Sequence, residues 1–341
     1  MKTQLSATYR APEKTGITAG GILGLIGNTP LVAFQHVGKE LGHNIFAKLE
    51  YLNPSGSIKD RMALYVIEDA ERNGIIKPGD LLVDNSSGNT AVSVGLVGTC
   101  KGYRTLFAVP DKTSQEKIDL IRALGSEVVI CPTDVPHDDP RSYYMTARRL
   151  AKEKPGFLVD QYHNPKNIEC HFKTTGPEIW EQTGGQIDAV VAGIGTGGTL
   201  SGIGRYLKMR DPRIQIVAVD PIGSVFYDLL RFNKLIEPGR YHVEGIGSDV
   251  PCGALDASVI DEVIQTEDAE SFAAARDLVR REGMIAGGSA GAAVAGLLKW
   301  AKSQKRPLNI VTILTDTGMR YLSKFLSDDW MKRTGFEVGP V

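Results

Sequence analysis

The sequence predicts an α/β protein of two domains, each an open, mostly parallel twisted sheet covered by helices. Three observations predict it. Short β-branched apolar runs alternate with helical patterns almost throughout, and the strand candidates are mostly uncharged, as strands buried on both faces are. Several helices also open on glycine- and hydroxyl-rich turns: "PSGS", "SSGNT", "GTGGT" and "GGSAG". In parallel sheets such turns follow the carboxyl ends of strands, where ligands bind.

In chain order, the runs read as strands are "NIFAKLE" (44–50), "LLVDN" (81–85), "RTLFAVP" (104–110), "EVVICP" (127–132) and "FLVDQY" (157–162). "AVVAGIG" (189–195), "IQIVAVD" (214–220) and "NIVTILTD" (309–316) complete the set. Between them lie helical patterns: "SIKDRMALYVIEDAERNG", "NTAVSVGLVGTCKG", "SQEKIDLIRALG", "RSYYMTARRLAKEKPG", "AESFAAARDLVRREG" and "GSAGAAVAGLLKWAKSQ". A break between two sheets is expected near 137–142 or 163–167. No repeat of 20–50 residues is present.

The totals narrow the function. The 341 residues suffice for two domains, and a formal net charge of −1 gives no attraction to nucleic acid or to an anionic membrane. The longest apolar runs fall far short of the roughly 20 residues that span a bilayer. The stretch "MKTQLSATYRAPEK" has no apolar core of a secretory signal, so a cytoplasmic protein is expected. Cys100, Cys131, Cys170 and Cys252 lie far apart, in neither a zinc spacing nor a disulfide framework. The histidines form no H-E-x-x-H pair, and no metal site is expected.

Two features carry chemistry. "AVVAGIGTGGTLSGIGRYLK" is a buried strand, a glycine turn and a helix, so the amides of Gly195 to Thr199 would face one concavity at the positive end of that helix, suiting a phosphate. The turn lacks the G-K-[ST] ending of an ATP-binding loop. A rival remains: Gly193 to Gly198 fits G-x-G-x-x-G, with Asp220 ending the next strand, as in dinucleotide binding. A plain packing turn is the third reading. The second feature is Lys59, behind small turn residues and at the head of a helix, the wrong end for a charge that complements the dipole. Either it is a solvated charge, or the site requires its amine neutral. A neutral amine attacks aldehydes, and an aldehyde carrying a phosphate points to pyridoxal 5′-phosphate (PLP).

"NPSGSIKDR", "SSGNT", "GIGTGGTLSGIG", "EGIGSD" and "GGSAGAAVA" together resemble the fold-type II PLP enzymes of the cysteine synthase and cystathionine β-synthase family, whose fold is like that of tryptophan synthase β. The likeness runs from "GLIGNTPLV" (24–32) to "YLSKFLSDDWM" (321–331). It implies that Lys59 holds the cofactor's aldehyde and that Gly195, Thr196, Gly197, Gly198 and Thr199 cradle its phosphate. It also implies that Ser86, Ser87, Gly88, Asn89 and Thr90 bind the substrate carboxylate with Gln161, Asn89 also reaching the cofactor's phenolic oxygen. By the same likeness Thr317 faces the pyridine nitrogen. Asp316 is expected on the other face of the strand. Gly245, Ser248 and Asp249 fall in the substrate loop. There the cystathionine β-synthase pattern "EGIGYD" has lost its tyrosine to Ser248, and Asp249 departs from the cysteine synthase pattern. Ala91 replaces a usual glycine, which either narrows the substrate space or only improves the helix.

The resemblance also implies a smaller domain over 45–159 carrying the carboxylate loop, a larger one over 12–44 and 160–331 carrying the phosphate loop, and a tail over 332–341. It implies a homodimer, and a catalytic core without the haem-binding and C-terminal regulatory modules of some relatives. The activity implied is β-replacement on an L-serine derivative (serine, O-acetylserine, O-phosphoserine or cysteine) through an α-aminoacrylate, with sulfur as the expected nucleophile. Deaminating β-elimination and a non-sulfur nucleophile such as an amine are the alternatives. A nicotinamide dehydrogenase on the 193–198 turn, or a PLP-carrying binding protein, are the readings from other classes.

Overall fold

The computed structural model describes residues 20–338, apart from Ser87, Lys112 and His137. The chain runs β1 (Leu31–Ala33), β2 (Asn44–Leu49), α1 (Lys59–Arg72), β3 (Leu81–Asp84), α2 (Asn89–Lys101), β4 (Arg104–Pro110), α3 (Gln115–Ala123) and β5 (Glu127–Cys131). It continues with α4 (Tyr143–Glu153), β6 (Gly156–Leu158), α5 (Lys166–Lys173), α6 (Thr175–Gln182), β7 (Ala189–Gly193), α7 (Gly198–Arg210) and β8 (Gln215–Pro221). The last elements are α8 (Phe226–Phe232), β9 (Glu262–Thr266), α9 (Asp268–Asp277), α10 (Gly288–Ala301), β10 (Asn309–Leu314) and α11 (Asp328–Arg333).

These strands form two sheets. One has six strands in the order β1-β2-β10-β7-β8-β9, and the other has four in the order β5-β4-β3-β6. Every pairing is parallel except that of β1 with β2. All eight anticipated strands form, within a few residues of their expected ends; β1 and β9 are additions. The grouping by sheet differs from the expected boundary at 45. β2 pairs with β10 along its whole length, Asn44 opposite Asn309 through Leu49 opposite Leu314, so it belongs to the larger sheet. A run of six apolar-rich residues carries no mark of which sheet will take it.

Alternation along the strands covers both faces with helices. On β7, Val190 and Ala192 pack with Ile203 and Leu207 of α7, while Ala189 and Val191 pack with Leu297 and Trp300 of α10. In the smaller sheet, Leu82 and Phe107 meet Met62 of α1 and Val94 of α2, and Val83 and Leu106 meet Ala147 and Leu150 of α4. Ala91 is fully buried in the cluster beneath α1 and α2, which makes it a packing residue of the helix. The helical pattern of 269–283 is α9 followed by a wide π-type turn over Leu278–Glu282. That turn sets Glu282 to accept from the successive amides of Gln35, His36 and Val37.

A buried ion network joins β2, α1 and α6. Arg61 donates to both oxygens of Glu50 (2.7 and 2.8 Å) and both of Glu178 (2.6 and 2.7 Å). Lys48, with no exposed surface, donates to Glu178 (2.6 Å), Gln182 (2.9 Å) and the Thr29 carbonyl (2.7 Å). Two cations thus face two carboxylates, with geometry that offsets their desolvation.

Asp84, at the end of β3, has no such partner. Its carboxylate is buried with no salt bridge among the described residues, and burial outweighs the backbone amides of Asn85, Asp160 and Gln161 beside it and pushes it up to about 7. A carboxyl raised in the folded state binds its proton more tightly there, so it lowers stability as pH rises from about 4 to about 7. Asp84→Asn therefore gains stability over the parent at pH 8 and loses that advantage near pH 4. The gain is a few kcal/mol, at about 1.4 kcal/mol for each tenfold change in proton affinity. Urea unfolding midpoints across that range check it, and a pH-independent difference would contradict it.

Candidate active site

The carboxyl ends of β2, β3, β6, β7 and β10 converge on one cavity of about 850 Å³. Lys59 lines it from the first turn of α1. The small residues before it let the chain turn tightly: Gly56 has φ +83° and packs against Thr317. Backbone bonds then zip this loop to the segment after β10, Ile58 N to the Thr315 carbonyl (2.8 Å) and Thr317 N to the Gly56 carbonyl (3.0 Å). Asp60 accepts from Ser55 N (2.7 Å) and the Ser55 hydroxyl, closing the turn. Desolvation in the cleft lowers the pKa of the Lys59 amine, with the charge of Asp316 acting in the opposite direction.

Ser86, Gly88, Asn89, Thr90 and Gln161 share the cavity with Lys59; Ser87 lies outside the described residues. The loop opens α2, whose first amides and positive dipole end suit an anion. Thr90 Oγ1 donates to Gln161 Oε1 (2.6 Å), which leaves the Gln161 Nε2 amine as a donor. Gly195, Thr196, Gly197 and Thr199 line the opposite side, at the opening of α7. Among the described residues, no acceptor takes the amides of these four residues. A methyl group at Gly197, where φ is +88°, would lie 2.7 Å from Leu255, so neither the turn nor its packing accommodates another residue. Gly198 is behind the wall: a Cβ there would meet the Asn167 side chain at 2.3 Å, and Asn167 in turn donates to Thr196 Oγ1 (3.1 Å). Thr199 Oγ1 bonds His171 Nε2 (3.2 Å), and burial followed by Arg61 and Lys59 holds that imidazole well below its usual pKa, hence neutral.

Besides Gly198, two expected residues are not in the cavity. Thr317 does not line it; its hydroxyl accepts from Met319 N (3.2 Å) and caps the next turn. Strand β10 ends at Leu314, so alternation no longer governs residue 317. Thr315 lines the cavity instead, bonded at 2.7 Å to Ser289 Oγ, which also lines it from the start of α10. The signal for Ser289 was present in "GGSAG", one of the turns marked as a helix opening. Ser248 also turns away. Its hydroxyl donates to the Val250 carbonyl (2.6 Å) and its amide to Ser224 Oγ (3.0 Å), so of the three expected substrate-loop residues only Gly245 and Asp249 line the cavity.

At the mouth, Glu244 accepts from Lys117 of α3 with one oxygen and from Lys324 with the other. Burial opposes the charge of Glu244, but the two ammonium groups outweigh it and hold the carboxyl below its usual range. The dinucleotide reading loses its acid: Asp220 is fully buried and accepts from the Tyr227 amide (2.8 Å), so it cannot receive a ribose. No helix among the described residues is long and apolar enough to cross a membrane.

A desolvated lysine amine, unclaimed amides at one helix opening for a phosphate, and a second helix opening for a carboxylate fit pyridoxal phosphate, and comparison with known proteins agrees. The family described as "pyridoxal-phosphate dependent enzyme" matches residues 22–316. Cystathionine β-synthase of Apis mellifera is 45% identical over 92% of this chain and 63% of its own length. That of Rattus norvegicus is 43% identical over 96% of this chain and 59% of its own length. The chain therefore spans only about 60% of the length of these relatives. The crystal structure of O-ureido-L-serine synthase superimposes with a TM-score of 0.83 at 35% identity, covering 91% of this chain and 98% of that one. The chain belongs to the family of pyridoxal-phosphate dependent enzymes, with the two-domain fold-type II architecture.

Proposed function

We propose that this enzyme replaces the β-substituent of an L-serine derivative by a nucleophile, sulfur being the expected one. The single observation that carries the reading is that two helix openings, Ser86 with Gly88, Asn89 and Thr90 at α2 and Gly195, Thr196, Gly197 and Thr199 at α7, line one cavity with the desolvated Lys59 amine. Pyridoxal phosphate, when bound, supplies an aldehyde for amines and a ring that accepts the electron pair left by deprotonation at Cα. Gly195, Thr196, Gly197 and Thr199 would hold its phosphate, and Asn89 its phenolic oxygen. Ser289 and Thr315, rather than Thr317, would face the ring. A neutral hydroxyl there, in place of a carboxylate, favours loss of the β-substituent over transamination. Gly88, Asn89, Thr90 and Gln161 fix the substrate carboxylate and so orient the Cα–H bond toward Lys59. The Lys59 Nζ takes that proton and later returns it to Cα.

The names of the relatives, cystathionine β-synthase and O-ureido-L-serine synthase, support a serine-derived substrate and differ in product. We assign Asp249, exposed at the cavity, to the second substrate. The same reading makes the protein a cytoplasmic homodimer. Its smaller domain carries the carboxylate loop and its larger one the phosphate loop.

Borohydride treatment of the PLP-loaded enzyme should place a pyridoxyl mass on Lys59 alone, and Lys59→Ala should lower turnover by at least ~10³-fold. Recovery of the group on another residue would overturn the assignment. Gln161→Ala should raise KM for the amino-acid substrate about tenfold, as one lost hydrogen bond to a charged group does, with PLP affinity unchanged. Mass analysis of serine, O-acetylserine, O-phosphoserine and cysteine with sulfide, homocysteine and amine nucleophiles tests the reaction. Release of keto acid and ammonia with every nucleophile would replace it by deamination.

A further inference from the structure

Asn89 is tied at both ends of its amide, and both ties come from the segment that follows β10. Its Nδ2 donates to Asp316 Oδ2 (2.9 Å), and its Oδ1 accepts from Arg320 Nη1. An oxygen on a donor and a nitrogen on an acceptor leave only one way round for the group. The second N–H of Nδ2 is then what Asn89 offers to the cavity it lines.

Asp316 is built into the fold for this. It is 1% exposed, one layer behind the wall, and it also accepts from Tyr321 OH (2.8 Å) and from the cavity residue Ser289 (3.4 Å). The chain leaves room for it: a Cβ at Gly287 would lie 2.1 Å from Asp316 Oδ1. Among the described residues no cation forms a salt bridge with it. A buried carboxylate held by neutral donors adds little stability, so orientation is what it contributes. Arg320 completes the clamp, its Nη2 donating to the Ser55 carbonyl in the loop that leads to Lys59.

We propose that Asp316, together with Arg320, is a positioning residue that fixes the Asn89 amide so that an N–H, not a carbonyl oxygen, meets the anionic oxygen of the bound cofactor. The inference rests on the reading of this cavity as the pyridoxal phosphate site. With the wrong end of the amide inward, oxygen would face oxygen and the cofactor's phenolate would lose its donor.

The test is the visible spectrum and PLP affinity of the loaded protein in five variants: N89A, D316A, N89A/D316A, D316N and R320M. D316A should move the visible band to the N89A position and weaken PLP binding about tenfold, the effect of one oriented hydrogen bond. The double variant should add nothing to either change. D316N keeps an acceptor oxygen and should restore the parent band. R320M should move the band the same way by less. An unmoved band in folded D316A, or changes that sum in the double variant, overturns the proposal. Should D316A not fold, an unmoved band in R320M overturns it. A parent chain that takes up no PLP sinks the cofactor reading itself, which separates the two failures.

Discussion

The site depends on the buried contact between Arg61 and the carboxylates of Glu50 and Glu178. Arg61 stands two residues after Lys59 on the first turn of α1, so whatever fixes its guanidinium fixes the azimuth of the lysine. Glu50 follows β2 and Glu178 lies on α6, so the helix is held from two sides of the larger sheet. Apolar residues of similar volume would stabilise the fold as well or better. What ions add is register: bidentate pairing is satisfied at one rotation of the helix and at few others.

That register has an electrostatic use. Lys59 must sit where water is scarce, yet α1 begins with it, at the positive end of a dipole. Burial and dipole both oppose the ammonium form, and a free charge there would be costly. The same helix openings that disfavour a cation favour anions. α2 and α7 open on the cavity from different sheets, and α10 brings Ser289 between them. The cleft between two parallel sheets thus gathers donors of one sign, which neither sheet alone would present.

Most of the larger features were legible in the residues because they depend on local chemistry. Glycine and hydroxyl residues at helix openings marked 86–90, 195–199 and "GGSAG", and β-branched runs marked the central strands. What escaped was set by tertiary context. β1 has three residues, and β9, "EVIQT", sits amid charges at the sheet edge, where it pairs with β8 alone. Thr317 was placed at the ring by resemblance, and the contrast drawn with Asp316 assumed that the strand alternation persisted. The chain instead leaves β10 after Leu314 and is steered by isolated pairings, Asp316 with Ser57 and Thr317 with Ala286. Ser248 was placed by its position in a loop, but its short side chain is satisfied within that loop. The membership of β2 in the larger sheet is likewise invisible in its composition.

The bridge of Lys117 and Lys324 on Glu244 stitches an element of the smaller sheet to the rim of the larger one. It is an uneven arrangement, since a lone carboxylate keeps the peace between two ammonium neighbours. Remove its charge and the pair at the doorway become mutual repellents, a force that widens the entrance and that dissolved salt would blunt.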